Sequence, residues 1–324
     1  MKCYFTRYDL SRCDIVEAVL SPVKTSRPWV YSLAVFQEAL AFGTHWCPLP
    51  KTLRLAIMNR MFRAPNFKAF LFWSKAGLRT MSDYGNISDA SLLDKAHVVY
   101  PAIREIPLGS SRSSSDAVQI VFLGDFVRKG GVNVVDAFEH VQRKHPSIHL
   151  RMCCDEHIDF RQNSSHLRAE YLERIRANPN ISMGRVSHRE MNDRVWPTTD
   201  IYLLPTYGEA FGFAALEAIA HGVPVICTNI VALPEIVEDG HSGRVINVDR
   251  WDYDRMFRGY CVDGVPHEVS EYVTQQLIEH LMELVENPAL RRRLGEGGRD
   301  VANSRFSVQA RKETLSEIYE KAIG

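Results

Sequence analysis

Between Pro205 and Gly222 the chain reads Pro-Thr-Tyr-Gly-Glu-Ala-Phe-Gly-Phe-Ala-Ala-Leu-Glu-Ala-Ile-Ala-His-Gly, which sets two carboxylates, Glu209 and Glu217, around a glycine-flanked aromatic turn. Phe213, Leu216, Ile219 and Ala220 recur at helical spacing, and Gly222 stands where a left-handed residue ends a helix. The spacing predicts Glu209 in a loop and Glu217 in the second turn of the helix that follows. The amides around Gly212 would face outward at the positive end of that helix, where a diphosphate is well received. One acid could then reach a sugar and the other a ribose.

A second group lies earlier. Ile120-Val-Phe-Leu-Gly-Asp-Phe-Val-Arg-Lys-Gly-Gly reads as a strand, a glycine turn and a basic entry to a helix through Val134, Val135, Ala137 and Phe138. Such a turn, with Gly124 and Gly130 at its ends, lets backbone approach a phosphate while Lys129, beside Arg128, supplies a point charge.

Positioning these groups falls to an α/β framework, because short apolar runs alternate with helical patterns along the whole chain. The clearest strands are 15–20, 29–33, 98–100, 119–123, 149–153, 201–204 and 223–227. Gly109 to Asp116, Gly-Ser-Ser-Arg-Ser-Ser-Ser-Asp, is a polar break that reads as a linker between a smaller N-terminal part, 1–108, and a larger one, 117–306. Two helices are expected to close the chain: 272–286, stopped by Asn287-Pro288, and 307–323.

Composition narrows the function classes. The 39 Lys and Arg residues balance 39 Asp and Glu, which argues against a nucleic-acid binder. Seven cysteines with no C-x-x-C pair argue against a disulfide framework or zinc ribbon and favour a reducing compartment, the cytoplasm. No signal-peptide pattern or 18-residue apolar run is found, so membrane contact would be peripheral. One stretch could make it: Ala39 to Ser82 has no acidic residue, and 51–79 carries Lys51, Arg54, Arg60, Arg63, Lys68, Lys75 and Arg79 among Phe62, Phe67, Phe70, Phe72 and Trp73. A basic, aromatic surface of this kind suits anionic lipid at the membrane inner face or a phosphate-bearing acceptor. The bland reading is a solvated helix face with its aromatics in the core.

Three more pieces follow the glycine turn in order: Asn180-Ile-Ser-Met-Gly-Arg-Val-Ser, then Asp200-Ile-Tyr-Leu-Leu-Pro-Thr-Tyr-Gly-Glu-Ala-Phe-Gly, then Gly222-Val-Pro-Val-Ile-Cys-Thr with Leu233-Pro-Glu-Ile-Val. With them, residues 118 to about 324 resemble the nucleotide-sugar-binding half of a family 4 retaining glycosyltransferase of the GT-B fold, whose mark is the E-x7-E pair. The resemblance implies two Rossmann-like domains with parallel sheets, 117–306 binding the donor, and 1–108 forming a shortened acceptor-side domain joined by the closing helix 307–324. It implies that Glu209 faces the transferred sugar and Glu217 the ribose. Phe211, Gly212 and Phe213 would present amides to the diphosphate, Lys129 would bind phosphate, and Arg185 and Val186 would lie near the nucleobase. Asp125 stands where the family usually has a phosphate-binding arginine, with Arg128 as the neighbouring cation. The implied function is retaining transfer of a hexose-type sugar from a UDP- or GDP-type donor to a saccharide or lipid-linked acceptor, with no metal or other cofactor. A non-catalytic donor-binding module or partner subunit is the second reading, and a sugar-nucleotide epimerase the third.

Other constellations carry less. His145, His149, Cys153, Cys154 and His157 are close in sequence, but a strand through 149–153 splits them between two faces. Asp252-Tyr-Asp254 has a D-x-D form yet sits in a polar insertion, as an exposed loop would. Near Ala34 the family has a histidine or glutamate facing the reaction centre, and this chain has neither in register, only Glu38 and His45 nearby.

Overall fold

Parallel strands buried on both faces read as continuous apolar runs, and each needs a crossover before its neighbour can be laid down. A computed structural model of the chain describes residues 12–41, 51–83, 85, 87–106, 117–155, 165–251 and 265–323. The linker 109–116, His45, His157 and the Asp252–Asp254 segment lie outside them. The chain divides into two units, Met1–Ala102 with Arg305–Gly324, and Ile103–Ser304.

In the first unit, β1 (Val16–Val19), β2 (Trp29–Leu33), β3 (Phe67–Phe72) and β4 (Ala96–Val98) form one parallel sheet in that order. Its described helices are α1 (Gln37–Ala41), α2 (Lys51–Phe62), α3 (Lys75–Asp83) and α4 (Ala90–Leu93). β3 lies outside the strands expected from the sequence, as do 181–183 and 243–246 of the second unit. Phe62, Phe67, Phe70 and Phe72 are fully buried beside Trp29, Tyr31 and Phe36, with the Phe62 and Phe70 rings 4.6 Å apart. The expected aromatic surface over 51–79 is therefore corrected: its phenylalanines are core, and α2 shows solvent Leu53 and Ile57 with Arg60.

The second unit holds β5 (Gln119–Leu123), β6 (His149–Cys153), β7 (Ile181–Met183), β8 (Ile201–Leu204), β9 (Val225–Thr228) and β10 (Gly243–Ile246), all parallel. The order is β10-β9-β8-β5-β6-β7, so the winding reverses between β5 and β8. Ligands in such sheets bind outside the carboxyl ends of the strands at this switch point, where the two loops part. The helices are α5 (Gly131–Gln142), α6 (Ser165–Ala177), α7 (His188–Glu190), α8 (Phe213–Ala220), α9 (Leu233–Ile236), α10 (His267–Glu286) and α11 (Pro288–Arg305). Val273, Leu277, Leu281 and Leu284 of α10 form the expected apolar stripe, all fully buried.

α11 overturns the reading of Asn287-Pro288 as a stop alone. Proline is tolerated at a first helical position, and the Asn287 Oδ1 accepts the Leu290 amide at 2.9 Å, capping a new helix. The closing helix α12 (Val308–Ile323) belongs to the first unit, where Ile318 packs with Val30, Ala69, Leu71 and Val99. No described helix is long and apolar enough to cross a membrane.

Candidate active site

The site is built where β5 and β8 end side by side. After β5, Gly124 has φ 127° and Gly130 φ 80°, values that favour glycine. A Cβ on Gly130 would fall 2.2 Å from the Pro205 carbonyl oxygen, so the two loops touch only because residue 130 has no side chain. The Lys129 amide donates to the Asp125 carbonyl and the Gly131 amide to that of Phe126, closing the turn at the start of α5.

This turn aims Lys129 inward. The residue is 8% exposed, and its Nζ donates to Glu209 Oε2 at 2.5 Å and to the Gly208 carbonyl at 3.1 Å. The other Glu209 oxygen accepts the Ala210 amide at 3.0 Å. Burial pushes the Glu209 carboxyl up, but the Lys129 charge and hydrogen bond, then the Ala210 amide and Arg128, outweigh it and hold the group below its ordinary value. Burial lowers the Lys129 pKa, and Glu209 opposes that shift. The two groups face each other as an ion pair, each offsetting the cost of burying the other's charge.

The loop after β8 is tied from behind. Thr206 Oγ1 accepts the Gly208 amide, Thr228 donates to the Thr206 carbonyl at 2.6 Å, and the Tyr207 hydroxyl donates to Asn133 Oδ1 at 2.8 Å. Asn133, fully buried on α5, spends its amide hydrogens on Ser270 and Thr274 of α10. One polar residue thereby joins loop, α5 and α10, with every partner satisfied. Gly212, φ 109°, opens α8; a Cβ there would lie 2.7 Å from Leu233 Cδ2. Phe211 is buried, whereas Phe213 is 46% exposed beside it, their ring centroids 5.0 Å apart. The first-turn amides of α8 therefore point out of the helix end next to the Lys129–Glu209 pair.

Glu217 sits on α8 with Oε1 3.0 Å from His188 Nε2 and Oε2 accepting the Trp196 indole N–H at 3.3 Å. His188 opens α7, capped by Ser187, whose Oγ accepts the Glu190 amide at 3.2 Å. Asn192, on the π-helical turn Met191–Val195 that follows, donates back to the His188 carbonyl at 2.9 Å. The Tyr202 hydroxyl on β8 is buried and has no hydrogen-bond partner among the described residues; burial first, then the charges of Glu209 and Glu217, keep it protonated.

The structure thus brings together Gly124, Arg128, Lys129, Gly130, Glu209, Phe211, Gly212, Phe213 and Glu217 around the switch point. Arg128 is not turned out as a lone cation: its Nε and Nη2 both donate to Asp125 Oδ2, at 2.8 and 2.5 Å. Arg185 pairs with Asp155, and with Val186 it lines a 540 Å³ pocket along β7 whose walls include neither glutamate nor Lys129. Sequence reasoning missed His188, Trp196, Tyr207 and Asn133. Ser187-His-Arg-Glu190 has the capping-box form that marks a helix start, and Asn133 interrupts an apolar helix face; both were available signals. Among the described residues no three His, Cys, Asp or Glu side chains gather as metal ligands.

Residues 117–256 match the family model described as glycosyl transferases group 1. A D-inositol 3-phosphate glycosyltransferase of Corynebacterium kroppenstedtii is 30% identical over 209 residues, 64% of this chain and 41% of that protein. The capsular polysaccharide biosynthesis glycosyltransferase CapM of Staphylococcus aureus is 23% identical, over 63% of this chain and 46% of its own. The chain thus spans less than half the length of these relatives. Among solved structures, HepE of Anabaena in complex with UDP-glucose superposes with a TM-score of 0.64 at 14% identity, over 91% of this chain and 72% of that one. WaaG, a glycosyltransferase involved in lipopolysaccharide biosynthesis, gives 0.63 at 17%, over 95% and 78%. Residues 117–256 are similar in sequence to the group 1 glycosyl transferases, and the chain has the GT-B fold of the glycosyltransferases it resembles in structure.

Proposed function

We propose that this chain binds a nucleotide sugar at the switch point of its second sheet and transfers the sugar, with retention and without a metal, to a saccharide or lipid-linked acceptor. The observation that carries the reading is the buried Lys129–Glu209 pair beside the open end of α8. Breaking the bond between sugar and diphosphate leaves an electron pair on a phosphate oxygen. A fixed ammonium and outward-pointing amides stabilise that charge without reorganising, which is the largest contribution available to such a site. Glu209 then orients the sugar and Glu217 the ribose, with His188 and Trp196 holding the Glu217 carboxylate in place. A UDP-type donor is favoured over a GDP-type one by the UDP-glucose complex of the Anabaena protein. The setting is the cytoplasm, with α2 resting on the anionic inner face of the membrane through Leu53, Ile57 and Arg60.

The expected outcomes are specific. Glu217→Ala weakens nucleotide binding by about tenfold, roughly 1.4 kcal/mol, and Lys129→Ala slows transfer by on the order of 100-fold. Calorimetry and a transfer assay measure them, and unchanged values for both would remove the site assignment. A thermal-shift panel of UDP, GDP, ADP and their sugars, with and without magnesium, tests donor class and metal independence. The anomer of the product, read by NMR, tests retention. Binding without transfer by the purified chain would leave a donor-binding module.

A further inference from the structure

The turn Gly124–Gly130 holds two cations and one anion, and the loop opposite adds a second anion. Lys129 is met by Glu209, and Arg128 by Asp125. The Arg128 fork spends two of its donors on a single Asp125 oxygen, and the pair is partly sheltered, with side chains 22% and 25% exposed. The backbone around it is fixed. Asp125 gives its carbonyl to the Lys129 amide at 2.9 Å, and Arg128 gives its own to the Tyr207 amide at 2.9 Å. An incoming phosphate therefore meets a cradle whose side-chain charges sum to zero, with a carboxylate as close to Arg128 as the phosphate would have to be.

We propose that Asp125 is a specificity-determining residue of this cradle: by holding Arg128 and adding its own negative charge, it sets the site against free nucleoside diphosphate more than against the sugar nucleotide. This rests on the donor-binding reading above. The free diphosphate carries one more negative charge than its sugar ester, so a fixed carboxylate in the cradle penalises it more. The consequence is a site that takes up donor and lets product go. Asp125 acts through Arg128 and is a positioning residue, not a catalytic one.

The full chain is titrated by calorimetry with UDP, UDP-glucose, GDP and GDP-mannose, as wild type, Asp125→Asn, Asp125→Ser, Arg128→Gln and the Asp125→Asn/Arg128→Gln double variant, each checked for an unchanged melting temperature. For the base that wild type prefers, Asp125→Asn is expected to tighten the free diphosphate about tenfold and the sugar ester by less. Salt dependence of binding steepens in that variant, because an Arg128 no longer ion-paired with Asp125 meets the phosphate. Arg128→Gln costs less affinity in wild type, where Asp125 holds the guanidinium, than in the Asp125→Asn background, where it abolishes the gain. A merely structural Asp125 would give weaker binding on substitution, the opposite sign. Unchanged or weaker diphosphate affinity in both folded Asp125 variants overturns the proposal, as does an Arg128→Gln loss equally large in both backgrounds. If neither wild type nor any variant binds a nucleotide, the donor-binding reading falls and this proposal with it.

Discussion

Each of the two units buries a carboxylate just beyond the end of a parallel strand, and the two are satisfied by different means. Glu209 in the second unit faces the Lys129 ammonium. Glu38 in the first, 8% exposed, accepts the Ala34 amide, four residues back, on Oε2 at 2.9 Å. The Ala34 amide lies just past β2, ahead of α1, so Glu38 acts as a helix-entry cap that reaches back along its own chain. A carboxylate held by a side-chain cation can share that cation with a ligand. One that accepts a main-chain amide at a turn cannot give up that bond without undoing the turn. Burial alone therefore does not mark a reactive acid; the kind of partner it has does.

Substitutions can break or sharpen this contrast. The largest effect is expected from Lys129→Met, which leaves Glu209 buried without its counter-ion and costs about 3–5 kcal/mol of stability. Adding Glu209→Leu should return most of that loss while binding stays abolished, and chemical denaturation of the two variants beside wild type checks it. Glu38→Ala should cost only ~1 kcal/mol, speed hydrogen exchange at the Ala34 amide and leave nucleotide affinity alone. A change in nucleotide affinity would mean that the two acids are not so different.

The smallest and most diffuse effect concerns pH. Burial, helped by the Arg299 charge, lowers the His221 pKa from 6.5 to about 4, and burial lowers His280 in the same unit. Between those values the unfolded chain takes up a proton at His221 that the folded one refuses, so stability rises with pH across the window. Glu209 works in a different range, because its depressed pKa leaves its contribution intact until the pH falls below the ordinary carboxylate value of 4.5. Melting temperature should therefore decline as pH drops from about 6.5 to about 4, with a shallower decline in His221→Gln. An identical slope in the variant would assign the effect elsewhere, His97 of the first unit included, whose pKa burial also lowers.

The second unit was legible because its site is written in local terms. Gly124, Gly130, Gly212 and Gly222 all take positive φ, which only a few residue types tolerate, and α8 has clean helical spacing. The first unit was not, since β3 is buried on both faces and offers no alternation, while Lys68 in its midst resembles a surface residue. α11 was obscured by Gly295, Gly297 and Gly298, poor helix formers retained for close approach: a Cβ at Gly295 would lie 2.2 Å from the Gly222 carbonyl oxygen and one at Gly297 2.1 Å from that of His241. The pairing of Arg128 with Asp125 and of Glu217 with His188 depends on side-chain geometry that no spacing rule encodes.

The contact between Gly130 and Pro205 sets the gauge of the crevice. Two loops leave neighbouring strands there, and the distance between them is fixed by the one methyl group that residue 130 lacks. Alanine at 130 would act as a wedge, prising the Lys129 loop from the Glu209 loop at their common root. The width of the space above is in that sense a property of a missing atom, and a designer wishing to admit a bulkier ligand would begin at the hinge and leave the walls as they are.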